Sequence, residues 1–419
     1  MSTRREFLTA APLREALQQT AEEPAMVPVS GNTIRLSKTA MACDFEVILN
    51  PGGGKLLGAA SDALDEIDRL EDQLSIYRPD SELSQLNARG ASEPVFVERQ
   101  LLVLLRETLQ YAAEFDGAYD PTAGPLVALW RMCRRERRVP TPEELNDARG
   151  RLGFRDVQID LEQGTLCFLR PGVELNLNAI GKGYALDRAV ETLMDQGAPV
   201  DSGRQPIPQE PEATGPINPP FPTPIEGPGC SGVCPPPPQP SPRQGGREKE
   251  CSGSAADSSS ATKLPEQPAL SLLIHGGYSS IIARGALTGM EGWPIAIRHP
   301  LVPNRTLATI LLRDRAVSTS GSAVQFFRVG DRRFGHILDP RTGWPAEEIL
   351  SVTVLAPTAA RAEALSTAFF VAGVEKAREY CHNQTDVAAL IIPAPVGGKT
   401  LEPVIFGIPE EDLIWESDG

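Results

Sequence analysis

The sequence predicts an α+β fold, with mixed sheets and packed helices, in one domain that a disordered insertion interrupts. Helical and strand-like patterns follow one another irregularly, without the regular alternation that indicates a parallel α/β sheet. No internal repeat divides the chain, and a proline-rich segment separates two well-patterned halves. This arrangement indicates one domain built from two segments of the sequence.

Apolar residues at helical spacing predict four helices. The first is predicted at 56–74, where an apolar residue recurs every three or four positions. The others are predicted at 100–115, 182–196 and 359–372. Thr358 is expected to open the last of these helices as an N-cap, because a threonine hydroxyl can accept a hydrogen bond from the first turn.

Short apolar runs bounded by turn residues predict eight strands. Three precede the proline-rich segment, at Phe45–Leu49, Val157–Asp160 and Thr165–Leu169. Five follow it, at Leu270–Ile274, Pro294–Arg298, Ala308–Leu312, Gly335–Leu338 and Ser351–Leu355. Strands in both halves therefore contribute to the predicted sheets.

The patterns divide the chain into five parts: an N-terminal tail at 1–33, a first domain segment at 34–198, the insertion at 199–268, a second domain segment at 269–408 and an acidic C-terminal tail at 409–419. The insertion holds 18 of the 39 prolines and a single aromatic residue, so burial cannot offset the entropy cost of ordering it. We expect a disordered surface loop. A proline-rich linker that binds a partner is the alternative.

The overall charge excludes some classes of partner. The formal net charge is −15, which argues against broad binding to nucleic acid or to anionic membranes. The seven cysteines include no CxxC pair and suggest neither a disulfide framework nor a zinc site. No stretch approaches the ~20 apolar residues of a membrane-spanning helix.

The N-terminus carries a degenerate export signal. Arg4 and Arg5 resemble a twin-arginine signal, but charged and amide residues interrupt the apolar run that should follow. We expect a cytoplasmic location, with export as the alternative.

Three short stretches carry candidate chemistry. Glu363 and Thr367 lie four apart on the predicted 359–372 helix, so their oxygens can share one hard cation. Lys182 lies between two glycines where a strand meets a helix, a junction that offers free N–H groups and a positive charge to a phosphate. A solvated glutamate and a surface lysine at a helix start are the structural alternatives.

The third stretch, Ser318–Ser322, follows a predicted strand, and its hydroxyls can surround a pyrophosphate. An ordinary hydroxyl-rich turn is the alternative. His336 precedes the turn that begins with Asp339-Pro340, and a histidine there can exchange protons near neutral pH. A structural histidine would equally fit the pattern.

Taken together and in order, these stretches resemble the ApbE-type flavin transferases, the FAD:protein FMN transferases. The resemblance runs from about Leu36 to Gly407, apart from the insertion. The matching stretches are Met41–Val47, Leu74–Leu83 with Asn87, Tyr119–Leu126, Gly181–Tyr184, Gly276-Gly277, Thr319–Gly321, His336–Gly343, and Glu363 with Thr367.

The resemblance implies an ApbE-like fold and a Mg²⁺-dependent reaction. FAD is cleaved, AMP leaves, and FMN is joined to a threonine of an acceptor protein. The implied metal ligands are Glu363, Thr367 and the Gly181 carbonyl, and the implied catalytic residues are His336, Asp339 and Lys182. The implied FAD-binding residues are Met41, Tyr77, Asp120, Thr122, Lys182, Gly276, Gly277, Ser320 and Gly321.

This chain departs from the family pattern at several acidic positions. Glu363 replaces the usual aspartate, Asn176 replaces an aspartate, and Tyr278 and Ser322 stand where the family often has acidic or amide residues. These changes remove carboxylates from the neighbourhood of the implied metal. An FAD pyrophosphatase that releases FMN and AMP, or a catalytically impaired flavin-binding or scaffold protein, is therefore the alternative reading.

Overall fold

A computed structural model of the protein describes residues 33–197, 271–302, 304–322, 326–395 and 401–416. The predicted insertion at 199–268 and all but the last residue of the predicted tail at 1–33 lie outside the described residues. No helix in the described ranges is long and apolar enough to cross a membrane.

The part of the chain that the structure describes contains eight α-helices. They are α1 (Leu57–Leu74), α2 (Glu82–Arg89), α3 (Arg99–Glu114), α4 (Gly124–Glu136), α5 (Pro142–Gly150), α6 (Gly181–Gly197), α7 (Ala359–Ala372) and α8 (Val374–Asn383). The four predicted helices correspond to α1, α3, α6 and α7, with ends that agree within one residue. Thr358 caps α7 as predicted, because its hydroxyl accepts a hydrogen bond from the Arg361 N–H.

The other four helices were not predicted, although two of them carry local start signals. The Ser81 hydroxyl caps α2 by accepting from the Ser84 N–H at 3.0 Å. Thr141 and Glu144 form a capping box at the start of α5. Their short apolar stripes were too weak to indicate helices by periodicity alone.

The strands of the described ranges form one large sheet and three small ones. They are β1 (Ile34–Ala40), β2 (Cys43–Leu49), β3 (Val95–Phe96), β4 (Val157–Asp160), β5 (Thr165–Phe168), β6 (Leu272–Gly276), β7 (Ser280–Arg284), β8 (Trp293–Arg298), β9 (Thr306–Leu312), β10 (Ala316–Gly321), β11 (Phe326–Val329), β12 (Arg332–Gly335), β13 (Ile349–Ala356), β14 (Ala388–Pro393), β15 (Val404–Phe406) and β16 (Leu413–Trp415). The large sheet has the order β1-β2-β6-β7-β10-β13-β14-β15, and all its pairs are antiparallel.

Seven of the eight predicted strands coincide with observed strands, with ends that differ by up to two residues. The strand predicted at Gly335–Leu338 is wrong, since β12 ends at Gly335. Beyond it the chain turns, and Leu338 makes only an isolated bridge with Pro345. The strand does not continue because the Asp339 N–H donates to the Trp344 carbonyl at 2.8 Å, which closes a turn instead.

Two further expectations are corrected by strand pairing. The hydroxyl residues at 318–321 lie inside β10 rather than in a turn, because β13 pairs with them along their length. Residues 413–415 of the predicted acidic tail form β16, which pairs with β9. The buried side chain of Leu413 joins the core there, so this part of the predicted tail belongs to the fold.

Both faces of the large sheet are covered. Val47 and Val354 point to the face on which the helices pack. Ile48 and Leu355, one residue further along their strands, point to the opposite face, on which β8 and β9 pack. The helix α7 is buried over most of its length, so its position is set by the sheet and by the neighbouring α6.

The crossing of α6 and α7 is unusually close at Gly183. A Cβ atom at this position would lie 2.3 Å from the Ala359 carbonyl oxygen and 2.6 Å from the Ala360 nitrogen. Only glycine permits this approach of two helix backbones. The contact determines which side chains of α7 lie opposite the start of α6.

Gly183→Ala should therefore destabilise the protein by about 1–3 kcal/mol, although alanine is the better helix former. Gly58→Ala is the matched control, because Gly58 also lies in a helix, but a Cβ atom there would meet nothing within 4 Å outside the backbone of its own helix. The control should be neutral or more stable by up to ~1 kcal/mol. Urea denaturation measures both, and equal stability of the two variants would contradict the close crossing.

Asp187 of α6 stabilises the same crossing by contacting the first residues of α7. Its carboxylate accepts hydrogen bonds from the Ala359 N–H at 2.7 Å and the Ala360 N–H at 2.8 Å, at the start of α7. Burial raises the pKa of Asp187 to about 7, although these two N–H groups act in the opposite direction. The carboxylate therefore caps α7 at the cost of desolvation.

We expect the stability of the wild type to fall, relative to Asp187→Asn, as the pH rises from about 4 to about 7. The pKa of about 7 in the folded protein lies above the ordinary value of 3.8, so the folded state holds this proton more tightly. The resulting stability is present at low pH and is lost as the pH approaches 7. Urea denaturation across this range tests it, and a constant difference between the two proteins would disprove the pKa shift.

Candidate active site around Glu363 and Lys182

Glu363 lies at the centre of the candidate site. Its side chain is 6% exposed and forms an ion pair with the Lys182 ammonium group. Its second carboxylate oxygen accepts a hydrogen bond from the Gly183 N–H at 2.6 Å. Because α6 begins at Gly181, this N–H is one of the first four of the helix, which have no partner within it. The carboxylate thus occupies the positive end of α6.

The electrostatics of this site favour the charged form of Lys182. Burial acts to lower the pKa of Lys182, but the adjacent Glu363 carboxylate outweighs it and the pKa is raised. Cys43 lies within the influence of both charges, and burial raises the pKa of its thiol to about 11. The thiol is therefore protonated at neutral pH and is not a nucleophile.

Hydroxyl groups line the C-terminal side of Glu363. The Ser320 hydroxyl lies 2.9 Å from that of Ser366 and 3.3 Å from that of Thr367. Ser366 and Thr367 donate to the Glu363 carbonyl at 3.0 and 3.3 Å. Strand β10 thus brings the Ser320 hydroxyl beside Thr367 on the helix that carries Glu363, with Gly321 at the end of the strand.

The predicted glycines lie against the Met41–Cys43 turn. Gly277 has a φ of +59°, and a Cβ atom there would lie 2.9 Å from the Cβ of Cys43. At Gly276 it would lie 2.6 Å from the Phe45 ring. The Met41 N–H donates to the Glu71 carboxylate at 2.9 Å, which holds the turn on α1. These contacts explain both glycines by close packing beside Cys43.

Asp120 and Thr122 form a local hydrogen-bonded unit. Asp120 accepts from the Thr122 N–H at 2.7 Å and from its hydroxyl at 2.6 Å. Burial raises the pKa of Asp120, and these two bonds partly offset the shift. Thr122 has no exposed surface, and its hydroxyl also accepts from the Gly153 N–H. A direct contact of Thr122 with a ligand is therefore not available, and its role is to hold Asp120.

Tyr119 and Arg131, which were not predicted as site residues, lie near Glu363 and Tyr77 respectively. Burial raises the pKa of the Tyr119 hydroxyl, and the negative charge of Glu363 raises it further. Tyr77 is 62% exposed; Arg131 donates to its hydroxyl and lies 5.2 Å from its ring centroid. No spacing rule connects these pairs, which are brought together by the packing of separate helices and loops.

Asp339 lies outside this set of contacts, three residues beyond His336 in the chain. His336 is exposed and directly follows β12. The Asp339 carboxylate binds Arg341 at 2.9 and 3.0 Å, and Arg341 also donates to the Val371 carbonyl near the end of α7. Among the described residues, no hydrogen bond or ion pair joins Asp339 to Glu363 or Lys182. The turn that contains Asp339 therefore contacts α7 near its C-terminal end, away from Glu363.

The donor set fits a magnesium ion only if the substrate completes it. The described residues include no group of three or more His, Cys, Asp or Glu side chains arranged around one point. Mg²⁺ is commonly held by one or two carboxylates together with substrate phosphates and water. Glu363 supplies one carboxylate, and the Thr367 hydroxyl lies 3.3 Å from the Glu363 backbone carbonyl. The carboxylate is already paired with Lys182.

The comparison with known proteins agrees with this architecture. The model of the ApbE family matches residues 33–201 and 252–391. The chain belongs to the ApbE family. A relative from Treponema pallidum (strain Nichols), named FAD:protein FMN transferase, is 30% identical over 343 residues, which cover 79% of this chain and 76% of the relative. A relative of the same name from Haemophilus influenzae is 26% identical and covers 80% and 78%.

Solved structures of ApbE proteins share the fold. The ApbE protein from Thermotoga maritima superimposes with a TM-score of 0.65 at 23% identity, over 88% of this chain and 96% of that one. The flavin transferase ApbE from Vibrio cholerae gives 0.63 at 26% identity, over 90% and 97%. The predicted fold class and family are thereby confirmed.

The Lys182–Glu363 pair makes a prediction about stability. Glu363→Gln should cost about 3 kcal/mol, because it leaves a largely buried ammonium group without its counter-charge. The double variant Lys182→Met/Glu363→Gln should be more stable than either single variant. Urea denaturation of all four proteins at neutral pH measures the coupling. Additive losses would show that the two groups do not interact.

Proposed function

We propose that this protein cleaves FAD and transfers FMN to a threonine of an acceptor protein, with release of AMP. The observation that carries the proposal is the Lys182–Glu363 pair at the positive end of α6, beside the Ser320 and Thr367 hydroxyls, within the ApbE fold. This arrangement offers cationic and donor groups where a pyrophosphate develops charge. Two curated relatives are named FAD:protein FMN transferase, which supports the same reaction.

In the proposed reaction the threonine oxygen attacks the phosphorus of the FMN half. A new phosphoester bond forms, the bond to the bridging oxygen breaks, and AMP leaves with that oxygen. His336 takes the hydroxyl proton. Lys182 binds the pyrophosphate and stabilises the leaving phosphate as its charge grows.

Glu363, Thr367 and the Gly181 carbonyl are the proposed ligands of Mg²⁺, which supplies charge neutralisation at the phosphates when it is bound. Glu363 is longer than the aspartate usual in the family by one C–C bond, ~1.5 Å. In this chain that length is used to reach both Lys182 and the Gly183 N–H. Shortening it by Glu363→Asp therefore releases one of these two partners.

The remaining predicted residues are proposed to shape the FAD site. Tyr77 offers an exposed ring for stacking, and Ser320 offers a hydroxyl with Gly321 beside it. Met41, Gly276 and Gly277 bring the backbone turns close together around Cys43. Asp120, held by Thr122, presents a carboxyl next to Tyr119. Asp339 positions the His336 turn through Arg341.

Mass spectrometry and AMP release test this function together. The purified protein is incubated with FAD, Mg²⁺ and candidate acceptor proteins. We expect an FMN adduct on a threonine and an equal amount of AMP. His336→Ala should lower the rate at least about a hundredfold, since a general base contributes that much. His382→Ala, an exposed histidine on α8, is the matched control and should keep full activity.

Other outcomes separate the alternatives. AMP and free FMN, formed with every acceptor and without a protein adduct, would indicate an FAD pyrophosphatase. Bound FAD without any AMP, with and without Mg²⁺, would indicate a flavin-binding or scaffold protein whose lost carboxylates have removed the chemistry.

A further inference from the structure

We propose that α4 and the β11–β12 hairpin form a surface that binds an acidic segment of the acceptor protein. This arginine surface consists of Arg131, Arg134, Arg135 and Arg137 at the end of α4 and of Arg332 on the hairpin. The inference rests on the proposed transfer to a protein, and it adds where and by which chemistry that protein is held.

The local charge is opposite to that of the whole chain. Residues 124–138 contain five arginines and one glutamate, and residues 326–336 contain three arginines and one aspartate. The complete chain carries a net charge of −15. The end of α4 is therefore a basic region in a chain whose overall charge is negative.

The arginines of α4 repel one another. Arg131 lies three residues before Arg134 and four before Arg135, so all three project from neighbouring positions on the helix. Such like-charged pairs destabilise a helix by about 0.2–0.5 kcal/mol each. The helix dipole favours the two arginines of the last turn but not Arg131, which lies further in. A bound anion would remove this repulsion.

Several of these guanidinium groups lack an internal counter-charge. Within the described ranges, no carboxylate lies within 4.0 Å of the side chains of Arg134, Arg135 or Arg137. By contrast, Arg138, the next residue, is paired with both Glu136 and Glu144. The pairing of Arg138 and the exposure of its three neighbours leave donors available to a partner.

Aromatic packing joins the two elements into one surface. Trp130 of α4 lies 6.0 Å from the ring of Phe327 and 5.6 Å from that of Phe334 on the hairpin. Arg332 lies 5.0 Å from the Phe334 ring centroid. Arg134 follows Trp130 by one helical turn and therefore projects on the hairpin side of α4. Mixed arginine and aromatic surfaces are typical of protein interfaces.

The surface adjoins two residues of the proposed site. Arg131 contacts the exposed Tyr77, which is proposed to stack on FAD. The hairpin runs directly into His336, which is proposed to take the threonine proton. A segment held by the arginine surface would therefore end close to the residue at which its threonine must react.

An acidic protein segment suits this surface better than other anions. Guanidinium groups bind carboxylates through two parallel hydrogen bonds, which gives both affinity and register. Nucleic acid and anionic membranes extend well beyond a single helix and hairpin, so they would meet the strongly acidic remainder of the chain. A short acidic segment can be held without that repulsion.

Fluorescence anisotropy with a labelled peptide tests the proposal without FAD. The peptide carries one threonine flanked by glutamates, and a second peptide has glutamines in their place. We expect the acidic peptide to bind the wild type, and Arg134→Glu/Arg135→Glu to weaken it at least about tenfold. The control Arg313→Glu/Arg378→Glu changes the net charge equally on exposed arginines of other elements and should stay within about twofold.

The proposal is overturned if both double variants bind the acidic peptide like the wild type, or if the glutamine peptide binds equally well. Preference for phosphatidylglycerol vesicles over the acidic peptide would assign the surface to membranes instead. AMP release from FAD, measured on the same proteins, separates the two proposals. If the wild type releases no AMP but binds the acidic peptide through these arginines, the transferase function is rejected and the peptide-binding surface is retained.

Discussion

The ion pair between Glu363 and Lys182 is the interaction on which the site depends. A carboxylate that is almost fully buried is costly unless charge and hydrogen bonds replace the lost water. Here an ammonium group and the Gly183 N–H supply both, and the positive end of α6 adds to them. The same groups that stabilise the carboxylate are those that a pyrophosphate would need, so stability and substrate binding draw on one set of donors.

This arrangement constrains the surrounding helices. Gly183 lets α6 approach the start of α7 closely, and Asp187 caps α7 from four residues further along α6. A side chain at residue 183 would push the helices apart and carry Glu363 away from Lys182. The two contacts therefore hold the ion pair in register, and the sheet behind α7 supplies the rigid support.

The changed acidic positions have a structural explanation in part. Asn176, where the family usually has aspartate, accepts from the Asn178 N–H at 3.0 Å, and its own N–H donates to the Pro121 carbonyl at 2.7 Å. It thus orders the loop before α6 and ties it to the segment of Tyr119 and Asp120. With fewer carboxylates nearby, Lys182 is the principal counter-charge of Glu363, and the Mg²⁺ proposed above would have to share this carboxylate with the lysine.

Local periodicity and local hydrogen bonds are enough to predict the class of fold, the four strongly patterned helices, most strands and the Thr358 cap from the sequence. The same periodicity places Glu363 and Thr367 on one helix face. The contact of Glu363 with Lys182, 181 positions away, and the positions of Cys43 and Tyr119 beside them depend on the three-dimensional packing. This packing also decides that Ser318–Gly321 form a strand, since pairing with β13 overrides the turn preference of serine and glycine. Such contacts arise from the order of strands in a sheet and the crossing of helices, which no short-range pattern encodes.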